Sequence, residues 1–180
     1  MRYLRPLNKA EPDRVNREMR SKSASLEAIE RVYKTKAAGF LRLALATTGN
    51  IERARDALQE GFARAIRSRD TFRGTGSIEA WLARCVLNAA RDSYDPVELN
   101  GDAESTEGSF ELSSDESRPI VREAIMQLPR RQREAVFLRY YLDLDYRAIG
   151  EALGMETGTV SATLHAAKAA LAETLQEVER

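Results

Sequence analysis

Leu128-Pro129-Arg130-Arg131-Gln132-Arg133-Glu134, then Asp145-Tyr146-Arg147-Ala148-Ile149-Gly150-Glu151-Ala152-Leu153-Gly154, then Thr157-Gly158-Thr159-Val160, are the three pieces of sequence on which the fold turns. Pro129 stands where a first helical turn tolerates a missing N–H, and Asp145 is a good N-cap for a helix starting at Tyr146. Gly154 follows Leu153 as a left-handed C-cap does and stops the middle helix sharply. In the third piece Val160, Leu164, Ala167, Leu171 and Val178 recur at helical spacing and form one apolar stripe, with Thr159, Ala162, Thr163, Ala166 and Glu173 on the other face. Three helices with a tight glycine turn read as a helix-turn-helix unit, which sets the first turns of its last helix in a DNA major groove. A plain helical hairpin packed in a core carries the same local signals.

Around this unit the chain of 180 residues has room for one domain or two small ones, and 31% charged with 43% hydrophobic residues fits a water-soluble fold. No run approaches the ~20 apolar residues of a membrane span, and no signal-peptide core stands at the N-terminus, so the expected location is the cytoplasm. Cys85 is the only cysteine and His165 the only histidine, which excludes an intrachain disulfide and argues against a Cys/His metal site. No nucleophile–base pair or paired-carboxylate site is legible either. Neither a cofactor nor an enzymatic activity is expected.

The formal net charge of zero conceals segregation along the chain. Residues 1–25 carry seven basic and three acidic side chains, and residues 26–92 carry twelve and eight. Residues 93–117 carry eight acids and no Lys or Arg, while the remainder balances at nine and nine. The segment 94–119, rich in Asp, Glu, Ser and Gly, lacks the apolar surface needed to order itself. It reads as an acidic linker between two helical domains at 26–93 and 120–180, with a basic arm at 1–25. No period-two strand pattern stands out, so the fold class is all-α.

In the first domain Leu26, Ile29, Tyr33, Phe40, Leu41, Ala44 and Leu45 mark one helix facing a core, and a Gly49-Asn50 turn leads to a second with Ala54, Leu58, Phe62, Ala65 and Ile66 on its apolar side. The polar side of that second helix bears Asp56, Gln59, Glu60, Arg64 and Arg67, with Glu60 and Arg64 at helical pairing distance. Phe72-Arg73-Gly74-Thr75-Gly76-Ser77 forms a glycine-rich loop, and Ser77 caps a third helix with Ile78, Trp81, Leu82, Cys85 and Ala89 on its buried side. Without a Lys-Ser/Thr ending the loop is not a P-loop.

Asp56-Ala57-Leu58-Gln59-Glu60-Gly61-Phe62-Ala63-Arg64-Ala65, followed by Phe72-Arg73-Gly74, Ser77, Trp81-Leu82, Arg84, Asn88 and Arg91-Asp92, resembles region two of the bacterial sigma factors of the small, extracytoplasmic-function type. Leu128-Pro129, Gln132-Arg133-Glu134, Leu138-Arg139-Tyr140, Tyr146, Ile149, Leu153-Gly154, Gly158-Thr159-Val160 and Leu164-His165 resemble region four of the same family. The resemblance implies a dissociable promoter-specificity subunit of RNA polymerase. It assigns Asp56, Gln59, Glu60 and Arg64 to docking on the clamp helices of the polymerase largest subunit, and Arg73, Ser77, Arg84, Asn88 and Arg91 to the minus-ten element, where flipped bases are read by polar atoms and Arg neutralises phosphate. Arg130, Arg131, Arg147, Thr157, Thr159, Ser161, Thr163, His165 and Lys168 fall to the minus-thirty-five element. The implied partners are core polymerase, through clamp and flap, promoter DNA and an anti-sigma factor, with no membrane.

Two departures qualify the resemblance. Relatives carry several Lys or Arg residues along the recognition helix, where this chain has Ser161, Ala162, Thr163, Ala166 and Ala167 and keeps Lys168 as the clear cation. Weak grip on the minus-thirty-five element is the expectation, because each lost phosphate contact removes about one unit of salt dependence. Glu156 replaces the usual Ser before that helix, so Thr157 is expected to cap it instead, one residue later. The basic helical tail of many relatives is also missing after Asp92, where Ser93-Tyr94-Asp95-Pro96 disfavours helix. An alternative consistent with the neutral helix is a polymerase-binding regulator that lacks independent promoter selection.

Overall fold

The computed structural model describes residues 23–92 and 118–178. Most of the basic arm and of the acidic linker lies outside them, as do the side chain of Val178 and the chain beyond it. Seven α-helices account for the described residues: α1 Leu26–Thr48, α2 Ile51–Arg67, α3 Ile78–Asp92, α4 Arg118–Gln127, α5 Arg130–Tyr140, α6 Tyr146–Leu153 and α7 Thr157–Val178. A single 3-10 turn, Arg69–Thr71, follows α2. The all-α reading holds, and α4 begins at Arg118, two residues before the expected start of the second domain.

Boundary residues explain where each helix starts and stops. Ser25 accepts from the Ala28 N–H at 3.1 Å to open α1, and Gly49, at φ 69°, closes it by donating to the Leu45 carbonyl. Asn50 Oδ1 takes the N–H groups of Glu52 and Arg53 at 2.9 and 3.0 Å. Ser77 caps α3 through Ala80 N–H at 3.2 Å. Asp145 caps α6 through Ala148 N–H at 2.7 Å, and Gly154, at φ 67°, ends it. Before α7 the Val160 N–H bonds to the Glu156 carbonyl. The helix therefore starts at Thr157, and the expected one-residue shift does not occur.

Helix α2 packs between α1 and α3, and its buried line is Ala54, Ala57, Leu58, Gly61, Phe62 and Ala65. Ile66, one helical step off that line, is left 41% exposed, contrary to its expected burial. Likewise α1 buries Ile29, Val32, Phe40, Leu43 and Ala44. Leu26 and Tyr33 are about half exposed instead, although Tyr33 lays its ring edge-on to Phe62 at 5.0 Å. Gly61 permits the closest approach in the bundle, because a Cβ there would stand 2.6 Å from the Val86 Cα.

The two helical groups are not separate bodies. One continuous apolar core runs from Ile29 through Phe40, Leu82 and Val86 to Leu138, Leu142, Ile149, Val160 and Leu164. Helix α3 lies at its centre, against α1 and α2 on one side and α6 on the other, while α5 rests on α1. For this reason α3 buries Ala80, Leu82, Ala83, Val86, Leu87, Ala89 and Ala90, a wider face than the stripe expected from spacing. Ile78, Trp81 and Cys85 are only partly buried at its edge.

Candidate functional site

The residues assigned to polymerase docking share one face of α2, on the side away from α1 and α3. Asp56 and Gln59 are exposed, and Glu60 and Arg64 half-buried. Arg64 Nε donates to Glu60 at 2.7 Å, and its Nη1 bonds to the Asp92 carboxylate at the end of α3. Arg67 reaches the same Glu60 oxygen at 2.9 Å. The Arg64 hydrogen bond, more than any other contact, holds the Glu60 carboxyl below its ordinary 4.5, and the Asp92 and Glu60 bonds raise Arg64. Sequence reasoning paired Glu60 with Arg64 and missed Asp92, which lies 28 residues away and becomes a neighbour only because α2 and α3 pack at Gly61.

The residues assigned to the minus-ten element occupy the loop 72–77 and α3. Arg84 and Asn88 are exposed four residues apart, about two and three turns along α3 from Ser77, and Arg73 is exposed in the loop. The Ser77 hydroxyl is already used, since it caps α3 and donates to Glu79 at 2.9 Å. Trp81 packs beside Phe72 with ring centroids 5.4 Å apart, as an edge-of-core residue. Burial raises the Cys85 thiol above its ordinary value, in keeping with an inert packing role.

Arg91 differs from its neighbours. Its Nη2 donates to Glu134 of α5 at 2.8 Å, and the Glu134 side chain is wholly buried. Arg147, which the resemblance assigns to DNA, donates to the Thr75 carbonyl at 3.2 Å and pairs with Glu151 at 3.2 Å. The Glu151 carboxylate lies over Gly76, so closely that a Cβ there would collide with it. Of the other arginines, Arg131 caps the end of α6 through the Leu153 carbonyl at 3.0 Å, and Arg130 stands 3.8 Å from Glu134.

On α7 the stripe of Val160, Leu164 and Ala167 is buried as expected, with Leu171 partly so. Thr157, Thr159, Ser161, His165 and Lys168 are exposed on the outer side, while Thr163 is half-buried and donates its hydroxyl to the Thr159 carbonyl at 2.7 Å. Lys168 lies over the Tyr140 ring at 5.9 Å. Among the described residues no group of His, Cys, Asp and Glu has the arrangement of a metal site. No described helix is long and apolar enough to cross a membrane.

Comparison with known proteins agrees with this anatomy. The family model for sigma-70 region 2 matches residues 33–95, and that for sigma-70 region 4 matches residues 118–171. The chain is 30% identical over 147 residues to the RNA polymerase sigma-H factor of Pseudomonas aeruginosa, covering 72% of this chain and 76% of that one. It is 27% identical over 170 residues to the extracytoplasmic-function sigma factor SigW of Bacillus subtilis, covering 82% and 87%. In fold it is similar to the sigma factor RpoE of Bartonella quintana, solved with the anti-sigma factor NepR, at TM-score 0.66 and 18% identity over 84% of this chain and 98% of that one. It is similar also to CnrH, solved with the cytosolic domain of CnrY, at TM-score 0.64 and 18% identity over 89% and 94%. The chain belongs to the sigma-70 family of RNA polymerase sigma factors, of the extracytoplasmic-function type.

Proposed function

We propose that this sigma factor divides its work between two faces of the N-terminal helices and the outer side of α7. The face of α2 bearing Asp56, Gln59, Glu60 and Arg64 docks on the clamp helices of the polymerase, with Asp92 holding Arg64 in place. Loop 72–77 with Arg84, Asn88 and Arg91 takes the minus-ten strand as it opens, and α7 contacts the minus-thirty-five element while its domain meets the flap. Residues 26–93 and 120–180 are the two working domains, joined by the acidic linker and preceded by the basic arm. The protein works in the cytoplasm beside the polymerase, and an anti-sigma factor is its third partner, as for the RpoE of similar fold.

The observation that carries the docking assignment is the preorganised polar face of α2. Its charged groups stay at the surface although α2 is flanked on both sides, and Arg64 is fixed by two carboxylates rather than free to swing. Core polymerase captured by immobilised wild-type protein tests it. Asp56→Lys and Arg64→Ala should lose most of the capture while keeping their helical signal, and undiminished capture by both variants overturns the assignment.

A further inference from the structure

Between Glu156 and Glu173, Lys168 is the sole charged side chain of α7, and no Asn or Gln occurs in that stretch. Lys168 itself lies over the Tyr140 ring at 5.9 Å. Arg or Lys is the usual partner of guanine, and Asn or Gln of adenine, because each closes two hydrogen bonds on one base. None of these four types stands in the first three turns of α7, residues 157–167. The hydroxyls of Thr159 and Ser161 serve either kind of base edge and choose weakly. The Thr163 hydroxyl is already donated to the Thr159 carbonyl at 2.7 Å. The His165 ring offers its nitrogens one at a time and closes no paired bond. Base-edge hydrogen bonding is therefore poorly provided for on this helix.

What the outer line presents is methyl groups on a bare backbone. Val160, Leu164 and Ala167 are buried, while Gly158, Ala162 and Ala166, away from that stripe, are exposed. The fold does not ask for a glycine at 158: a Cβ there would meet nothing within 4 Å, and its φ is not left-handed. Glycine inside a helix is less stable than alanine, so its presence suits close approach of the helix to a ligand. The thymine C5 methyl is the apolar group that the major groove displays, and it marks T·A among the four pairs. Ala162 and Ala166 stand four residues, about 6 Å, apart along the axis, close to two base-pair steps at ~3.4 Å each.

We propose, resting on the reading of α7 as the helix that meets the minus-thirty-five element, that Ala162 and Ala166 select that element by apolar contact with thymine methyls. Paired hydrogen bonds to base edges do not supply the choice. The thymines read should lie within about three successive base pairs, on either strand, as the spacing of the two alanines requires. Such contacts are small one by one, so the element adds selectivity to a complex that the polymerase holds in place.

The test uses holoenzyme assembled from core polymerase and the full chain, with a genomic fragment on which run-off transcription shows a defined start. Replacing thymine by uracil in the minus-thirty-five element removes the methyl and keeps the base pair. It should weaken holoenzyme binding roughly three- to tenfold, the worth of one or two buried methyl groups, and uracil confined to the spacer should be silent. Ala162→Gly and Ala166→Gly remove the protein side of the same contacts. Each should weaken binding to the thymine fragment by a similar factor and blunt the response to uracil, because a contact that already lacks one partner cannot be lost twice. Ala172→Gly, exposed on the same helix about 15 Å beyond Ala162, has the same propensity cost and should keep the full response. A uracil fragment bound and started as well as the thymine one overturns the proposal, and so does a full uracil response in both glycine variants. Absence of defined starts on every native fragment removes the sigma-factor reading itself and this proposal with it.

Discussion

Arg91 and Glu134, 43 residues apart in sequence, meet at 2.8 Å across the seam between the two helical groups, with the carboxylate fully withdrawn from solvent. Removing one member of such a pair and leaving the other buried costs about 3–5 kcal/mol. That cost is capped by the free energy of the contact itself, because parting the groups returns Glu134 to water. Arg91→Ala should therefore lower the first thermal transition by several degrees and leave the α1–α3 bundle folded. Arg91→Ala combined with Glu134→Leu should recover most of the loss, and circular dichroism melts of the four proteins in a double-mutant cycle measure it.

The Glu60 carboxyl is held below its ordinary 4.5 chiefly by the Arg64 hydrogen bond, with Arg67 adding to it. A depressed carboxylate stabilises the fold above its unfolded pKa, and the contribution is lost as pH falls through the folded value. The Glu60–Arg64 pairing on the polar face of α2 should accordingly stay intact through neutral and mildly acidic pH and come apart only in acid below the usual Glu range. Carbon-13 NMR of the Glu60 carboxyl should show a midpoint under 4.5, and Arg64→Ala should move it upward.

Much of this was legible in the sequence, and the exceptions share a cause. Caps are local, so Ser77, Asp145 and Gly154 could be placed from neighbours a few residues away, and the polar face of α2 followed from helical spacing, while its proposed docking role rests on the family resemblance. Tertiary contacts are not local. Asp92 on Arg64, Glu134 on Arg91 and Arg147 on Thr75 link residues 28 to 72 positions apart, and no period announces them. The one available sign was Glu134 itself, four residues before the buried Leu138 and so on the inner side of α5. Burial was misjudged at Leu26, Tyr33 and Ile66 because an apolar type was read as a buried one, whereas the contact line runs through the small residues Ala54, Ala57 and Gly61.

Helix α7 carries one cation, Lys168, which lies over Tyr140. Non-specific DNA binding by the protein without polymerase should be weak and only shallowly dependent on salt. Lys168→Ala should reduce the slope of log affinity against log salt by about one unit, the share of a single phosphate contact. Fluorescence anisotropy across a salt series gives the slope directly.

Gly61 offers a test of the bundle that supports the proposed docking face. A Cβ there would press on the Val86 backbone at 2.6 Å, and backbone cannot swing aside as a side-chain tip does. Gly61→Ala should destabilise by about 1–3 kcal/mol despite the better helix propensity of alanine, a loss of several degrees in melting temperature. Because α2 and α3 must then separate, the Arg64–Asp92 bond should weaken, and capture of core polymerase should fall in parallel.

Run-off transcription with core polymerase and genomic fragments, mapped with and without the protein, bears most directly on the division of labour among α2, α3 and α7. The wild type should produce reproducible new starts that share upstream sequence. Asp56→Lys should abolish them through lost core capture, and Asn88→Ala should reduce them with capture intact. Tight core binding without defined starts would contradict the account and turn this chain into a polymerase-binding regulator whose neutral α7 no longer selects promoters.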